Sequence, residues 1–194
     1  MKLYYFAGGC SLATHIALRE AGFDPETVRV SPETRLTENG QPFPEVNVKG
    51  YVPALILDDG SMLTENVALL DWVAQQSPGL KPEEGMARTR QTEMLAFIST
   101  EIHKMFLALF FMPGEEAKPG IRERIGERFQ HIADRLKGSY LLGERFSVAD
   151  AFLFVMLRWA RMSDMKLPDV FDAYAGRIAD RPAVKKALAV EGLD

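Results

Sequence analysis

Cysteine is almost absent from this chain of 194 residues, in which Cys10 stands alone. A single cysteine cannot form an intramolecular disulfide, and a free thiol is typical of a reducing compartment. An excess of one charge is also missing, since 23 basic and 27 acidic residues give a formal net charge of −4. This balance argues against capture of DNA or anionic lipid by electrostatic attraction.

Long apolar runs are lacking as well, because no stretch reaches about 18 consecutive apolar residues, the length typical of a transmembrane helix. The first residues, MKLYYFAGGCS, lack the apolar core of a signal peptide and are better interpreted as a strand. No two histidines or cysteines have metal-ligand spacing, so we expect no metal site. The sequence predicts a globular protein of the cytoplasm without a transmembrane helix.

The first third of the chain has the pattern of a mixed α/β unit in the order β-α-β-loop-β-β-α. Asp59-Gly60 separates two apolar runs and predicts a β-hairpin. Residues 31–50 are rich in loop-forming types. We expect strands at 2–6, 27–30, 54–57 and 62–63, and helices at 11–21 and from Thr64 onward.

The segment SPGLKPEEGM holds two prolines and two glycines and predicts a domain boundary. We therefore expect an N-terminal domain at 1–78, a linker at 79–86 and an all-helical domain at 87–194. Ser147 and Asp150 have the spacing of a capping box at the start of a helix. Apolar periodicity predicts helices at 87–112, 120–137, 151–160, 169–180 and 182–190.

Cys10 lies where the first strand turns through Gly8-Gly9 into the first helix. The backbone N–H groups and the dipole of a helix N-terminus favour an anion, so the sequence predicts a lowered thiol pKa. A buried structural cysteine is the alternative for an isolated Cys, but the strand-to-helix loop favours a functional role. We interpret the neighbouring Ser11 as a helix N-cap.

Pro53 stands just before an apolar strand, where a proline cannot donate to the sheet. A cis Val52–Pro53 bond and an ordinary trans proline at a sheet edge both fit this position. The cis form would leave the backbone N–H and C=O of Val52 free to pair with an extended peptide.

Thr64-Glu65-Asn66 lies between the predicted hairpin and a helix. Free N–H groups at such a helix start can bind a carboxylate, and the Glu65 side chain can meet an ammonium group. An α-amino acid carries both charges. The alternative is a plain N-cap with an acidic first turn.

Four segments together resemble the glutathione S-transferases, most closely the bacterial beta class. They are KLYYFAGGCSLATHIALREAG at 2–22, NVKGYVPALILDDGSMLTEN at 47–66, FISTEIHKMF at 97–106 and ERFSVADAFLF at 144–154. The resemblance covers essentially the whole chain and implies an α/β plus all-α fold, with a thioredoxin-like N-terminal domain and a helical C-terminal domain. It also implies a homodimer, glutathione as co-substrate and a small electrophile as second substrate.

The resemblance implies that Cys10 and His103 are the catalytic residues. Cys10 would face the glutathione sulfur, and His103 would lie near that sulfur and the second substrate. Val52, before a cis Pro53, would pair with the cysteinyl backbone of the tripeptide.

Other residues would bind the two ends of glutathione. Glu65 and Asn66 would hold the γ-glutamyl end, and Arg35 would lie near the glycyl carboxylate. The remaining implied glutathione contacts are Tyr51, Thr100 and Glu101. Three departures from the family pattern are Ala7-Gly8-Gly9 before the cysteine, Val48 where the family often has a proline, and Ala96 where many relatives carry an Asn.

The resulting hypothesis is conjugation of the glutathione thiolate to an electrophile in an apolar pocket. Met105, Phe106 and Phe110 would form walls of that pocket, unless they belong to the helix core. One alternative is a monothiol thioltransferase that works through a mixed disulfide of Cys10 with glutathione. The other is a non-catalytic binding protein, because fold does not fix function.

Overall fold

A computed structural model of the chain describes residues 1–193. Their contacts define two compact units, one of Met1–Lys81 with the segment from Arg181 onward and one of Pro82–Asp180. The helical domain predicted from the sequence covers all of 87–194. In the structure the last helix of that range packs on the first helix of the chain and belongs to the first unit.

The elements run in the following order. The first stretch contains β1 (Lys2–Tyr5), α1 (Ser11–Glu20), β2 (Glu26–Arg29), α2 (Phe43–Val46), β3 (Ala54–Ile56), β4 (Met62–Thr64) and α3 (Asn66–Gln76). The second unit contains α4 (Met86–Phe97), a π-helical segment (Ile98–His103), α5 (Lys104–Phe111), α6 (Lys118–Ala133), α7 (Val148–Met162) and α8 (Val170–Ala179). The last helix, α9 (Pro182–Glu191), returns to the first unit.

The sheet of the first unit has the strand order β2-β1-β3-β4. β1 pairs with β2 in parallel and with β3 antiparallel, so that Tyr4 lies opposite both Val28 and Ala54. β3 and β4 form the predicted hairpin, in which Leu57 N–H donates to Ser61 O at 2.8 Å. This mixed sheet confirms the predicted thioredoxin-like architecture.

The buried faces of the first unit hold the chain segments around Cys10 and Pro53 in place. One cluster contains Tyr4, Val28, Val30, Phe43, Val52 and Ala54. α1 is buried from Ser11 to Leu18 and packs on both α3 and α9. Burial of this much apolar surface supplies the main driving force for folding and fixes the start of α1.

In the second unit, α7 is the central helix and is buried along most of its length. It packs on α4, on the π-helical segment and on α8. The predicted capping box is confirmed, because the Asp150 carboxylate accepts the Ser147 N–H at 2.8 Å and the Ser147 side chain accepts the Asp150 N–H. The Ser147 hydroxyl also donates to the Asp150 carboxylate at 2.6 Å. This box fixes where α7 begins.

The predicted helix at 87–112 is present as one continuous helix, Met86–Phe111, but its middle six residues wind as a π-helix. By length and composition alone this helix could cross a membrane. Core helices of soluble proteins meet the same condition, and here the helix packs on α6 and α7 of its own unit. The absence of a transmembrane helix therefore stays a prediction.

Candidate functional site

Cys10 is the N-cap residue of α1, and its half-buried Sγ lies 3.7 Å from the carbonyl oxygen of Val52. Burial raises the pKa of its thiol to about 12, and the Glu65 charge adds to the rise. The backbone N–H groups of Cys10 and Ser11 act in the opposite direction and are outweighed. The prediction of a lowered thiol pKa is therefore wrong, because burial destabilises the thiolate more than the backbone N–H groups at the start of α1 stabilise it.

Ser11 is not the N-cap that the sequence suggested, because it is the first residue of α1 and its hydroxyl turns back towards Phe6. The hydroxyl accepts the Phe6 N–H at 3.2 Å and donates to the Phe6 carbonyl at 3.3 Å. Gly9 N–H also donates to that carbonyl, at 2.9 Å. These bonds close the loop from Phe6 to Ser11 and thereby fix the backbone at Cys10.

The Val52–Pro53 peptide bond is cis, which decides between the two forms that the sequence left open. The Val52 carbonyl points to the Cys10 thiol. Its N–H makes no hydrogen bond to any residue of the described chain. Val52 thus has a backbone donor free to pair with a bound peptide, although its side chain belongs to the core.

Glu65 precedes α3 with φ +67°, in the left-handed region that non-glycine residues rarely adopt. Its Oε1 accepts Lys49 Nζ at 2.7 Å and the Tyr51 hydroxyl at 2.6 Å. These hydrogen bonds raise the pKa of both Lys49 and Tyr51. Backbone strain of this kind concentrates at functional sites, and here it places the carboxylate beside Tyr51.

Lys49 is not among the predicted site residues, although it lies within the segment NVKGYVPAL that carries the resemblance. Lys49 Nζ also donates to Thr64 Oγ1 at 2.8 Å, so it spans from the loop to the end of β4. The available signal was charge: a cation two residues before Tyr51 is a natural partner for the predicted acidic residue Glu65.

Asn66 begins α3 and is buried, with both ends of its side-chain amide hydrogen-bonded inside the first unit. Its Nδ2 donates to the Cys10 carbonyl at 3.1 Å, and its Oδ1 accepts the Thr14 hydroxyl at 2.6 Å. The side chain therefore joins α3 to α1. Because its side chain is occupied, Asn66 could contact a ligand only through its backbone N–H. The N–H groups in the first turn of a helix such as α3 have no acceptor within the helix.

Arg35 is exposed and also adopts a positive φ, +60°. Its Nη2 donates to the carbonyl of Gly50, next to Tyr51. Hydrogen bonds and chain neighbours connect all seven predicted residues of the first unit, with Arg35 joined through Gly50. They are Cys10, Arg35, Tyr51, Val52, Pro53, Glu65 and Asn66.

The other three predicted residues share the π-helical segment of the second unit. The Thr100 hydroxyl donates to the Ala96 carbonyl at 3.0 Å. Glu101 Oε2 pairs with Arg128 Nε at 3.2 Å. π-helical turns inside α-helices are frequent at functional sites, and this one begins two residues after Ala96.

His103 ends the π-helical segment and packs against aromatic rings of α7. Its ring centroid lies 5.7 Å from that of Phe152 and 5.4 Å from that of Trp159. Burial, helped by the charge of Lys104, lowers its pKa to about 4. Its Nε2 is buried and has no hydrogen-bond partner within residues 1–193. His103 is therefore a neutral imidazole at physiological pH, and its buried Nε2 is an unsatisfied polar atom among the described residues.

The three residues suggested as pocket walls differ in position. Phe106 is fully buried against Phe129 and Trp159 and belongs to the core. Phe110 is 41% exposed, and Met105 is half-buried. Among the described residues, no group of three or more His, Cys, Asp or Glu side chains is placed to hold a metal ion.

The chain is similar to known proteins along its whole length. Residues 8–76 match the family model of the glutathione S-transferase N-terminal domain, and residues 115–186 match that of the C-terminal domain. A glutathione S-transferase of Escherichia coli O157:H7 is 42% identical over 200 residues, with all of both chains covered.

Two solved structures show the same similarity over the full length of both chains. A sphingomonad glutathione S-transferase complexed with glutathione has a TM-score of 0.90 and 41% identity. A bacterial beta-class glutathione S-transferase of Sphingomonas chungbukensis has a TM-score of 0.89 and 41% identity. The chain therefore belongs to the glutathione S-transferase family and is similar to its bacterial beta class.

Proposed function

We propose that this protein is a glutathione transferase, which joins the sulfur of glutathione to an electrophilic carbon of a small apolar molecule. The observation that carries the proposal is the set of contacts among Cys10, Val52, Tyr51 and Glu65 in the first unit. A relative of 41% identity has been solved in complex with glutathione, which supports the same ligand here.

The groups of this site complement glutathione along its length. The Glu65 carboxylate is proposed to bind the γ-glutamyl ammonium, and the backbone at the start of α3, at Asn66, its carboxylate. The free N–H and the carbonyl of Val52, before Pro53, would pair with the cysteinyl unit as one strand pairs with another. Arg35 is proposed to attract the glycyl carboxylate.

Cys10 is proposed to contact the glutathione sulfur as a neutral thiol. A pKa near 12 leaves very little thiolate at neutral pH, so Cys10 is a poor nucleophile in this state. The backbone N–H groups at the start of α1 stabilise the glutathione thiolate that forms after its proton passes to water. An electron pair of the thiolate sulfur then forms the new C–S bond with the electrophilic carbon. The bond between that carbon and the leaving group breaks, and the leaving group departs with its electrons.

Thr100, Glu101 and His103 stay predicted contacts of glutathione in the second unit. The low pKa of His103 makes its ring neutral at physiological pH, so any contact that it makes with glutathione is a hydrogen bond between a neutral imidazole and the ligand. The identity of the second substrate, the homodimer and a location in the cytoplasm also stay predictions. They depend on the resemblance to the family.

The test pairs calorimetry of glutathione binding with two activity assays, on the wild type and on Cys10→Ser. One assay follows conjugation of glutathione to a dinitrohalobenzene, and the other follows glutathione-dependent reduction of a small mixed disulfide. We expect saturable binding and conjugation that survives the substitution. Disulfide reduction alone, lost in Cys10→Ser, would instead establish a thioltransferase. Absence of binding would leave a protein that uses the fold for another purpose.

A further inference from the structure

The carboxyl end of the last helix reaches the loop that precedes Cys10. Glu191 is the last residue of α9, and its side chain is fully buried. Its Oε2 accepts the Gly8 N–H at 3.0 Å, across 183 residues of sequence. A buried carboxylate thus holds a backbone group two residues before Cys10.

The second oxygen of Glu191 is occupied by His15 of α1. His15 Nδ1 lies 2.9 Å from Glu191 Oε1, and both side chains are fully buried. His15 Nε2 accepts the Arg19 Nε–H at 3.3 Å, so the ring proton stands on Nδ1 and is donated to Glu191. The carboxylate is therefore oriented by the imidazole, with its other oxygen directed at Gly8.

The turn after α9 covers the same loop. Gly192 takes a left-handed φ of +69°, and Leu193 N–H donates to the Leu188 carbonyl at 3.0 Å. A Cβ built on Gly8 would lie 3.5 Å from Leu193 Cδ2. Gly8 itself has φ +69°, a conformation that suits glycine and that the loop must keep to present its N–H to Glu191.

We propose that Glu191 is a positioning residue for Cys10. By holding Gly8 N–H, it adds to the bonds from Ser11 and Gly9 to Phe6 and helps to fix the Ala7-Gly8-Gly9 loop, whose two glycines have wide conformational freedom. The bond, together with the cover from Leu193, keeps the Cys10 thiol half-buried against Val52. Any effect of Glu191 on glutathione conjugation rests on the proposed transferase function, whereas its effect on the position of the Cys10 thiol does not.

The first test uses the unaltered protein and measures amide hydrogen exchange at Gly8. A loop amide bonded to a buried carboxylate should exchange slowly, at a rate similar to the amides of the buried face of α1. Exchange at the rate of an exposed loop amide, such as that of Gly114, would overturn the proposal. This measurement needs no substitution and is independent of any enzymatic activity.

The second test compares Glu191→Gln with Arg181→Gln. Arg181 also ties α9 to α1, through two bonds to Glu20 at 2.6 and 2.7 Å, but these bonds do not reach the Cys10 loop. In Glu191→Gln, the side-chain amide has one acceptor oxygen for two donors, the Gly8 N–H and the His15 N–H. Its NH₂ group must therefore face one of these donors, and one hydrogen bond is lost. The loop should therefore open more often. Both variants should lower the melting temperature, so stability alone does not separate them.

The discriminating measurement is the rate of Cys10 alkylation by iodoacetamide as a function of pH, without glutathione. Cys10 is the sole thiol of the chain, so the signal has one source. In Glu191→Gln we expect the rate to rise about tenfold, as loss of one charge-assisted hydrogen bond allows. The pH midpoint should also move down, towards that of an ordinary cysteine. Arg181→Gln should match the wild type in both respects.

An unchanged alkylation profile in folded Glu191→Gln would overturn the positioning role, even if its conjugation activity fell. A changed profile in both variants would also overturn it, because any weakening of the α1–α9 packing would then suffice. If the alkylation profile changes as expected but no variant conjugates glutathione, the positioning role stands and the proposed function fails.

Discussion

Asn66 Nδ2 donates a hydrogen bond of 3.1 Å to the carbonyl oxygen of Cys10. The bond joins the first residue of α3 to the N-cap residue of α1. The two helix starts that the proposed site uses are thus held together before any ligand binds. Such preorganisation lowers the entropic cost of binding.

Asn66→Ala is expected to lower the free energy of unfolding by about 1–3 kcal/mol, because it leaves the buried Thr14 hydroxyl without its acceptor. The measurement is urea unfolding, with Thr14→Val and the double variant as controls. Since the two residues share one bond, the double variant should lose less than the sum of the single ones. A purely ligand-binding Asn66 would leave the unfolding free energy unchanged.

Glu65→Gln is expected to weaken glutathione binding about tenfold or more, because a charged partner of the ligand ammonium is lost. Its effect on stability should stay below about 1 kcal/mol, since Lys49 and Glu65 form an exposed pair. Calorimetry and urea unfolding measure the two quantities. Lys49→Met is the matched control: it breaks the same pair but keeps the carboxylate, so it should weaken binding less. Equal loss of affinity in both variants would contradict the assignment of Glu65.

Local signals explain which parts of this molecule the sequence predicted. The hairpin at Asp59-Gly60 and the capping box of Ser147 and Asp150 are each encoded within a few residues, so their spacing alone identifies them. Short motifs likewise drew attention to Cys10, to Val52–Pro53 and to Glu65-Asn66, whereas Arg35 and Tyr51 were implied by the resemblance to the family.

Features that depend on distant packing were missed. The thiol pKa of Cys10 is set by burial, which is a property of the folded chain and not of the helix start alone. The hydrogen bond between Gly8 N–H and the Glu191 carboxylate joins opposite ends of the sequence, and no local sequence pattern predicts it. The π-helical winding at Ile98–His103 likewise leaves the apolar pattern of a regular helix intact.

Asp150→Ala is expected to lower the free energy of unfolding by about 3–5 kcal/mol, since it deprives several buried donors of their acceptor. Besides the two bonds from Ser147, the carboxylate accepts Leu141 N–H at 2.8 Å and the Tyr174 hydroxyl at 2.7 Å. Ser147→Ala is the control and should cost about 1 kcal/mol, the usual value of a cap. Denaturant unfolding measures both variants. If the two substitutions lower the free energy of unfolding by similar amounts, Asp150 acts only as an ordinary capping residue.

The half-buried ring of His103 should make stability depend on pH in a defined window. Its pKa is lowered from the ordinary 6.5 to about 4 in the folded chain, so between these values the unfolded chain binds more protons. Stability therefore falls as the pH drops through this window, and this residue alone should remove about 2 kcal/mol between pH 7.5 and pH 5.

His103→Gln should abolish that part of the pH dependence, whereas His131→Gln, at an exposed position, should keep it. Urea unfolding of the three proteins at pH 7.5, 6 and 5 measures the difference directly. The same neutral ring should leave the pH profile of glutathione conjugation without a step near pH 6.5, because His103 does not change its charge there. Such a step, present in the wild type and absent from His103→Gln, would show that the ring titrates normally. His103 would then be protonated at the acidic end of the physiological pH range, and its proposed contact with glutathione as a neutral ring would be wrong.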